Sequence, residues 1–285
     1  MTPTLQALAT WPLAQRRQIV GIFSDIDDTL TTAGAITPDA LQALADLQAA
    51  GLHVMAITGR PIGWCASLMR GDAARGLPPW PVDAMIAENG AVAFVHNKIW
   101  RSGFPTKPGQ LLKLYQQEVA TRTQNQARMQ AVAAQVLAQV EGVQLTRDSA
   151  GRETDLAFDY NEFARLSPQT VQQVLGILQR AGMHTSVSSI HIHGCFGDFN
   201  KWTGANWIAR EWLGCDLKQD LARWVFVGDS GNDQAMFEHF THSVGVANIR
   251  RFEAQITHLP RYITPSQHGA GFAEVARAIL QARTA

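Results

Sequence analysis

Cysteine is nearly absent from this sequence: Cys65, Cys195 and Cys215 are the only three, and no two of them form a CxxC pair. So sparse and odd a set excludes a disulfide framework and suits a reducing compartment. An excess of either charge is missing too. Twenty-four basic residues face 24 acidic ones, for a formal net charge of +0. The whole chain therefore lacks the electrostatic footprint of a partner for nucleic acid or for an anionic membrane. Long apolar runs are also missing, so no segment is expected to span a bilayer. The opening "MTPTLQALATWPLAQRRQ" mixes polar residues into its apolar part and lacks a small-residue cleavage site, so no signal peptide is expected. A cytoplasmic protein is the expectation. No internal repeat or low-complexity tract is found.

What is present is core-forming sequence: 46% of 285 residues are hydrophobic and 17% charged, enough for one large domain or two moderate ones. "QIVGIFSDID", "LHVMAITGR" and "VDAMIAENG" read as buried strands. Between them "TPDALQALADLQAAG" and "PIGWCASLMRGD" have helical period. Thr37 is expected to cap the first helix, with Pro38 at its first position and Gly51 at its end. Strand, helix, strand, helix, strand implies parallel pairing with right-handed crossovers, hence an α/β layered sheet.

The rhythm then changes. "AVAFVHNKIWR" alternates like a hairpin with its turn near His96-Asn97-Lys98, and the Ala-, Gln- and Leu-rich stretch from about Gln110 to Val140 reads as a helix pair. "GVQLTRD", "ETDLAFDYN", "MHTSVSS" and "IHIHGCF" are strand-like, and "SPQTVQQVLGILQRAG" is a helix capped by Ser167. After Gly197 the first rhythm returns. The expected organisation is a discontinuous α/β core, residues 1–91 with 197–285, and an α+β module inserted at 92–196 with an antiparallel sheet.

Ligands of open parallel sheets bind beyond the carboxyl ends of the strands. The first strand delivers Asp25, Asp27, Asp28 and Thr29 there, the second Thr58, Gly59 and Arg60, and "GDSGND" delivers Asp229, Ser230, Asn232 and Asp233. Lys201 heads a helix, where the dipole disfavours a cation. Carboxylates from two strand ends repel unless a cation sits between them, and few hard oxygen donors suit Mg²⁺. A lysine, a hydroxyl and Gly-rich turns complete the parts needed to neutralise a phosphoryl group. A carboxylate free to attack would form an aspartyl phosphate.

These residues resemble a known family. "DIDDT" resembles the DxDxT motif of the haloacid dehalogenase (HAD) superfamily, "ITGR" its second motif, Lys201 in "DFNKW" its third and "GDSGND" its fourth. "AENGA", Ala87–Ala91, is similar to the sugar-phosphatase (IIB) branch, which includes Cof-type phosphatases, sucrose-phosphatase, mannosyl-3-phosphoglycerate phosphatase and phosphomannomutase. The resemblance implies a Rossmann-like core with a lid inserted between the second and third motifs. It implies Asp25 as nucleophile and metal ligand, and Asp27 as general acid and base whose main-chain carbonyl also reaches Mg²⁺. It implies Asp229 as a direct metal ligand and Asp233 on a metal-bound water or orienting the ligands. Thr58 and Lys201 would hold phosphate oxygens, with Asn232 in support. The activity implied is a Mg²⁺-dependent phosphatase of a small phosphorylated metabolite, a sugar phosphate or phosphoglycerate conjugate. A phosphomutase, or a binding module with the same fold, stays open as an alternative.

Blander readings compete at several positions. Asp28 stands where the motif commonly has Gly and reads as a turn or cap residue. Arg60, after the Thr-Gly turn Thr58–Gly59, reads as a phosphate or substrate contact or as a surface ion pair. His191 and His193 alternate on one strand near His184. Without a cysteine pair or a third well-spaced ligand they read as strand residues rather than a zinc site. That strand face can look down on the site, where Asp155, Asp159 or Tyr160 would meet sugar hydroxyls. Trp202, Trp207 and Trp212 fall at helical spacing and read as core.

Overall fold

The first apolar run becomes β2 (Gly21–Ser24), fully buried, and it lies in the middle of a nine-stranded sheet. This computed structural model describes residues 5–72, 76–96 and 111–284. On one side of β2 lie β5 (His53–Ile57), β6 (Ala84–Ala87), β7 (Val92–His96) and β8 (Leu111–Tyr115). On the other lie β13 (Trp224–Gly228), β14 (His242–Gly245), β15 (Tyr262–Ile263) and the edge strand β1 (Gln6–Ala7). From β1 through β6 every pairing is parallel. The chain runs outward from β2 to β6 and later returns to β13 on the opposite side. The carboxyl ends of β2 and β13 therefore flank the topological switch point, where α/β sheets open a crevice.

Period-two alternation divides the sheet's side chains between two cores. Ile22, Val54, Ala56, Val225 and Val227 pack on one face with α2 (Pro38–Ala49), α3 (Ile62–Arg70) and α9 (His268–Thr284). Phe23, Met55, Ile57, Trp224 and Phe226 pack on the other with α6 (Lys201–Ile208) and α8 (Gln234–His239). Each buried Val, Ile, Phe or Met among them stabilises the fold by roughly 1.5–3 kcal/mol relative to exposure. Trp202 is buried in the second core, and Trp207 and Trp212 pack against it. Gly51 follows α2 with φ +78, the left-handed stop expected there. Thr37 stands at the helix N-cap in extended conformation but makes no side-chain capping bond. Ser167, by contrast, accepts from Thr170 N–H at the start of α5 (Pro168–Arg180).

A second, four-stranded antiparallel sheet runs in the order β11 (His184–Val187), β12 (His191–Cys195), β10 (Asp155–Asp159), β9 (Gln144–Leu145). Phe158 and Ile192 point from it onto α4 (Val119–Gln139) and α5, in a core with Val136, Val174 and Leu178. Asp155, Asp159, His191 and His193 therefore share the opposite face.

Two expectations change here. The stretch 110–140 is neither one helix nor a pair: Leu111–Tyr115 is a strand antiparallel to β7, and a single helix starts at Val119. Local composition favoured helix, but the exposed edge of β7 and the clasp of Glu153 on Lys113 and Tyr115 favour the extended form. Gln110 and the turn at Asn97-Lys98 lie outside the described residues. Strands β7 and β8, inside the 92–196 span, pair into the large sheet, so the four-stranded sheet draws only on residues 144–195. No helix among the described residues is long and apolar enough to cross a membrane, and the three cysteines are free.

Candidate active site

At the switch point, carboxylates from the two strand ends meet. Asp25, Asp229 and Asp233 are all buried, and each offers an oxygen within 4.8 Å of the others. The backbone welds the two strand ends together, with Asp25 N–H donating to Val227 O at 2.9 Å. Gly228 makes the loop possible. A Cβ there would stand 2.5 Å from Asp233 Oδ2, the oxygen that accepts the N–H groups of Asp229 and Ser230. Thr29 Oγ1 donates to Asp229 Oδ1 at 3.3 Å, and Asn248 Nδ2 donates to Asp229 Oδ2 at 3.0 Å. The "GDSGND" motif is thus a carboxylate cradle built from its own main chain.

Lys201 answers the puzzle of a cation at a helix start. Its fully buried Nζ donates to Asp25 Oδ1 at 2.5 Å and Asp233 Oδ1 at 2.6 Å. Asn200 and Thr203 close a capping box that satisfies the helix end without an acid. Burial alone would lower the lysine's proton affinity, but Asp233 and Asp25 outweigh it and hold Lys201 above its ordinary value. One lysine does not balance three carboxylates. Burial pushes Asp25 up to about 7, with Asp233 and Asp27 adding to the rise against Lys201. Burial, then Asp25 and Asp233, push Asp229 well above the usual carboxylate range. Hard oxygen donors in charge excess are what a divalent cation such as Mg²⁺ requires, so the residues fit that ion.

Thr58 is fully buried. Its Oγ1 accepts Arg60 N–H at 3.0 Å, which leaves its own hydroxyl proton to donate. Asn232 lines the cleft with Asp25, its Nδ2 on Asn89 Oδ1 at 3.0 Å. Asp27 is turned differently from the other carboxylates. Arg60 Nε lies 3.1 Å from both its oxygens, and Nη2 lies 2.8 Å from Oδ1. Arg60 is neither a surface pair nor free: it is 8% exposed and also reaches Asp148 at 3.2 Å and Glu162 at 2.7 Å. Asp28 has φ +58, and its carbonyl accepts from Asn248 and His268, a turn role.

The second sheet closes over this crevice. Asp25, Asp27, Gly59, Arg60 and Asn232 line one side of a narrow cleft of about 10 Å³, and Ser188, Ser189, Ile190, His191 and His193 line the other. The two walls leave room for little more than a water molecule between them, so this is a closed state. Three residues expected to face sugar hydroxyls are committed elsewhere. Asp155 binds Arg152 and His193, Asp159 accepts the N–H groups of Glu162 and Phe163, and Tyr160 donates to Ser188 O. His184 is exposed on β11, and the three histidines gather no third metal-ligating partner among the described residues.

The model of the sucrose-6F-phosphate phosphohydrolase family matches residues 19–278. The chain belongs to this family, within the HAD superfamily. A search of curated proteins found no match. Among solved structures, a Thermoplasma acidophilum protein (0175) superposes with a TM-score of 0.67 at 17% identity, covering 92% of this chain and 98% of that one. The sucrose-phosphatase of Synechocystis sp. PCC6803, solved with sucrose and phosphate, superposes at 0.62 and 16% identity over 92% of this chain and 98% of that one. A HAD subclass IIB sugar phosphatase gives 0.59 and 17% over the same shares. At such identities these structures show a common fold.

Within this family member, several site-proximal residues carry no local sequence signal. Glu88 is buried and accepts Ile62 N–H at 3.0 Å, Glu153 N–H at 3.1 Å, and the N–H and hydroxyl of Thr154, so it ties the large sheet to the smaller one. Burial, with Asp155 adding to it, pushes Glu88 up to about 7 against those hydrogen bonds. "AENGA" marks the position but not that use. Asn248, Arg152, Asp148 and Glu162 look like ordinary surface polar residues until the fold brings them in.

Proposed function

We propose that this HAD-family phosphatase is a Mg²⁺-dependent phosphomonoester hydrolase acting through an aspartyl phosphate, and that its substrate is a sugar phosphate. The observation that carries the reading is the buried Asp25–Asp229–Asp233 cluster around Lys201 at the switch point. Asp25 and Asp229, with the Asp27 main-chain carbonyl, would hold the metal. Asp233, whose oxygens already serve Lys201 and two N–H groups, would act by orientation. Bound there, Mg²⁺ supplies positive charge against the phosphoryl oxygens and relieves the repulsion between a carboxylate and an approaching dianion.

The rest falls to the chain. Lys201 occupies Asp25 Oδ1, leaving Oδ2 to attack phosphorus. A bond forms from Oδ2 to phosphorus as the ester P–O bond breaks, and Asp27 passes a proton to the departing alcohol oxygen. Asp27 then takes a proton from water, whose oxygen bonds to phosphorus and releases Asp25 and inorganic phosphate. Thr58, Lys201, Asn232 and Gly59 would surround the phosphoryl group with donors, while Arg60, whose N–H groups go to Asp27, Asp148 and Glu162, holds Asp27. The second sheet, centred on residues 144–195, serves as the lid that admits substrate and excludes bulk water.

The substrate class rests on the family match and on the sugar phosphatases among the similar structures. Nothing favours nucleic acid or membrane partners, and a cytoplasmic location is consistent with the three free cysteines. The test is hydrolysis of p-nitrophenyl phosphate and a panel of sugar phosphates with Mg²⁺. Phosphate release that needs both Mg²⁺ and Asp25 is expected. Equal rates in wild type and Asp25→Asn would sink the reading. Conversion of glucose 1-phosphate to the 6-phosphate without free phosphate would replace it with a mutase.

A further inference from the structure

Glu162 stands behind the cleft wall. The Asp159 carboxylate holds its turn by accepting Glu162 N–H and Phe163 N–H, both at 2.9 Å. That turn is fastened to the loop lining the cleft. Tyr160 and Asn161 donate their N–H groups to Ile190 O, and Asn161 Nδ2 donates to Ser189 O at 2.9 Å. From this rigid platform the Glu162 carboxylate reaches two cleft-lining side chains on opposite walls. Oε1 accepts Arg60 Nη2 at 2.7 Å, and Oε2 lies 2.8 Å from His191 Nε2. Arg60 in turn grips Asp27 through Nε and Nη2. An unbroken polar chain therefore runs from the lid turn through Glu162 and Arg60 to Asp27. Its Arg60–Glu162 link, with Arg60–Asp148, crosses from core to lid, so opening must break it while Arg60–Asp27 stays within the core.

We propose that Glu162 is a positioning residue: on closure it locks Arg60 and His191 together, and through Arg60 it fixes the Asp27 carboxylate on the leaving-group side of the cleft. The planar guanidinium suits this task because Nε and Nη2 grip Asp27 along one edge while Nη2 and Nη1 reach Glu162 and Asp148 at fixed angles, which a lysine ammonium does not reproduce. The inference rests on the phosphatase reading for its catalytic consequence, and on the hydrogen bonds alone for the latch.

Proton delivery matters most when the leaving oxygen is a poor leaving group. A sugar alkoxide depends on it more than a nitrophenolate does. The experiment compares kcat/KM with Mg²⁺ for glucose 6-phosphate or sucrose 6-phosphate and for p-nitrophenyl phosphate in wild type, Glu162→Gln, Arg60→Lys and the double variant. Glu162→Gln is expected to lower kcat/KM about thirtyfold on the sugar ester and about threefold on the aryl ester. The double variant is expected to be no slower than Arg60→Lys alone. Equal losses on both esters, or losses that multiply in the double variant, refute the positioning role. If wild type hydrolyses neither the aryl ester nor any member of the sugar-phosphate panel, the phosphatase reading has failed, and thermal unfolding of the same four proteins still decides the latch. Non-additive Tm losses for Glu162 and Arg60 support it, and additive losses overturn it. Should Arg60→Lys fail to fold, Arg60→Gln takes its place in the unfolding cycle.

Discussion

Replacing Lys201 with Met tests the electrostatic logic of the site directly. Met keeps a flexible stem of similar length and brings no charge. Lys201 Nζ is fully buried, 2.5 Å from Asp25 and 2.6 Å from Asp233, with Asp229 in the same cluster. Removing one partner of a buried pair leaves the other charge uncompensated and costs about 3–5 kcal/mol. At roughly 2–4 °C per kcal/mol for a chain of this class, the metal-free variant should lose on the order of 10 °C in Tm. The carboxylates left behind bind a divalent cation more strongly, so Mg²⁺ should stabilise the variant more than it stabilises wild type. Saturation a hundredfold above Kd returns about 2.7 kcal/mol. Turnover should stay low even with Mg²⁺, because one charge that faces the phosphoryl group is gone, a loss of about 10²–10³ in kcat. The assay is thermal unfolding of both proteins in EDTA and in millimolar Mg²⁺. A Tm loss under about 3 °C, or an Mg²⁺ gain no larger than in wild type, would show that the lysine does not balance the cluster.

Two further outcomes follow from the seam between the sheets. Glu88 ionises near its ordinary 4.5 when unfolded and near about 7 when folded. Between those values the folded chain holds a proton that the unfolded chain has released. Stability is therefore full below 4.5 and falls as pH rises through about 7, by about 3 kcal/mol. Urea unfolding at about pH 5 and about pH 7 should show this loss, and Glu88→Gln should shrink it; an unchanged difference in the variant would refute the assignment. Gly59→Ala would set a Cβ 2.8 Å from the His193 ring. Overpacking of that kind costs about 1–3 kcal/mol, so Tm should fall, and adding His193→Ser should restore it; failure of the second change to rescue the first would show that the lid does not seat there.

The residues that carry the site were legible because each stands at the end of a strand whose own pattern was legible. Asp25 follows β2, Thr58 follows β5 and Asp229 follows β13, and parallel pairing aligns those ends without any further information. The two-module division was harder to read at its border. Whether β7 opens a new sheet or extends the old one depends on which edge is vacant, and that is a tertiary fact. The structure gives the reason. Glu88, Asn89 and Gly90 all have positive φ, 50, 53 and 113°, and this left-handed run turns the chain straight back along β6. A non-glycine residue in that region is uncommon, and here the hydrogen bonds of the buried Glu88 carboxylate offset its cost.

Lys201 and Glu162 show the two ways a functional residue can look in sequence. Lys201 breaks a local rule, since a cation at a helix start opposes the dipole, and the conflict is visible without any structure. Glu162 breaks none. It sits in the polar stretch "DYNEFAR", where a glutamate is ordinary. Its partner Arg60 lies far from it along the chain, and only closure of one sheet on the other brings the two together, while His191 reaches it through the β10–β12 pairing of its own sheet. Local inconsistency therefore points to groups that must be buried against the preferences of their own segment, which describes the cluster around Asp25. It is blind to groups whose partners arrive only from the other sheet, as Arg60 does for Glu162. The lid's contribution to this site had to come from geometry.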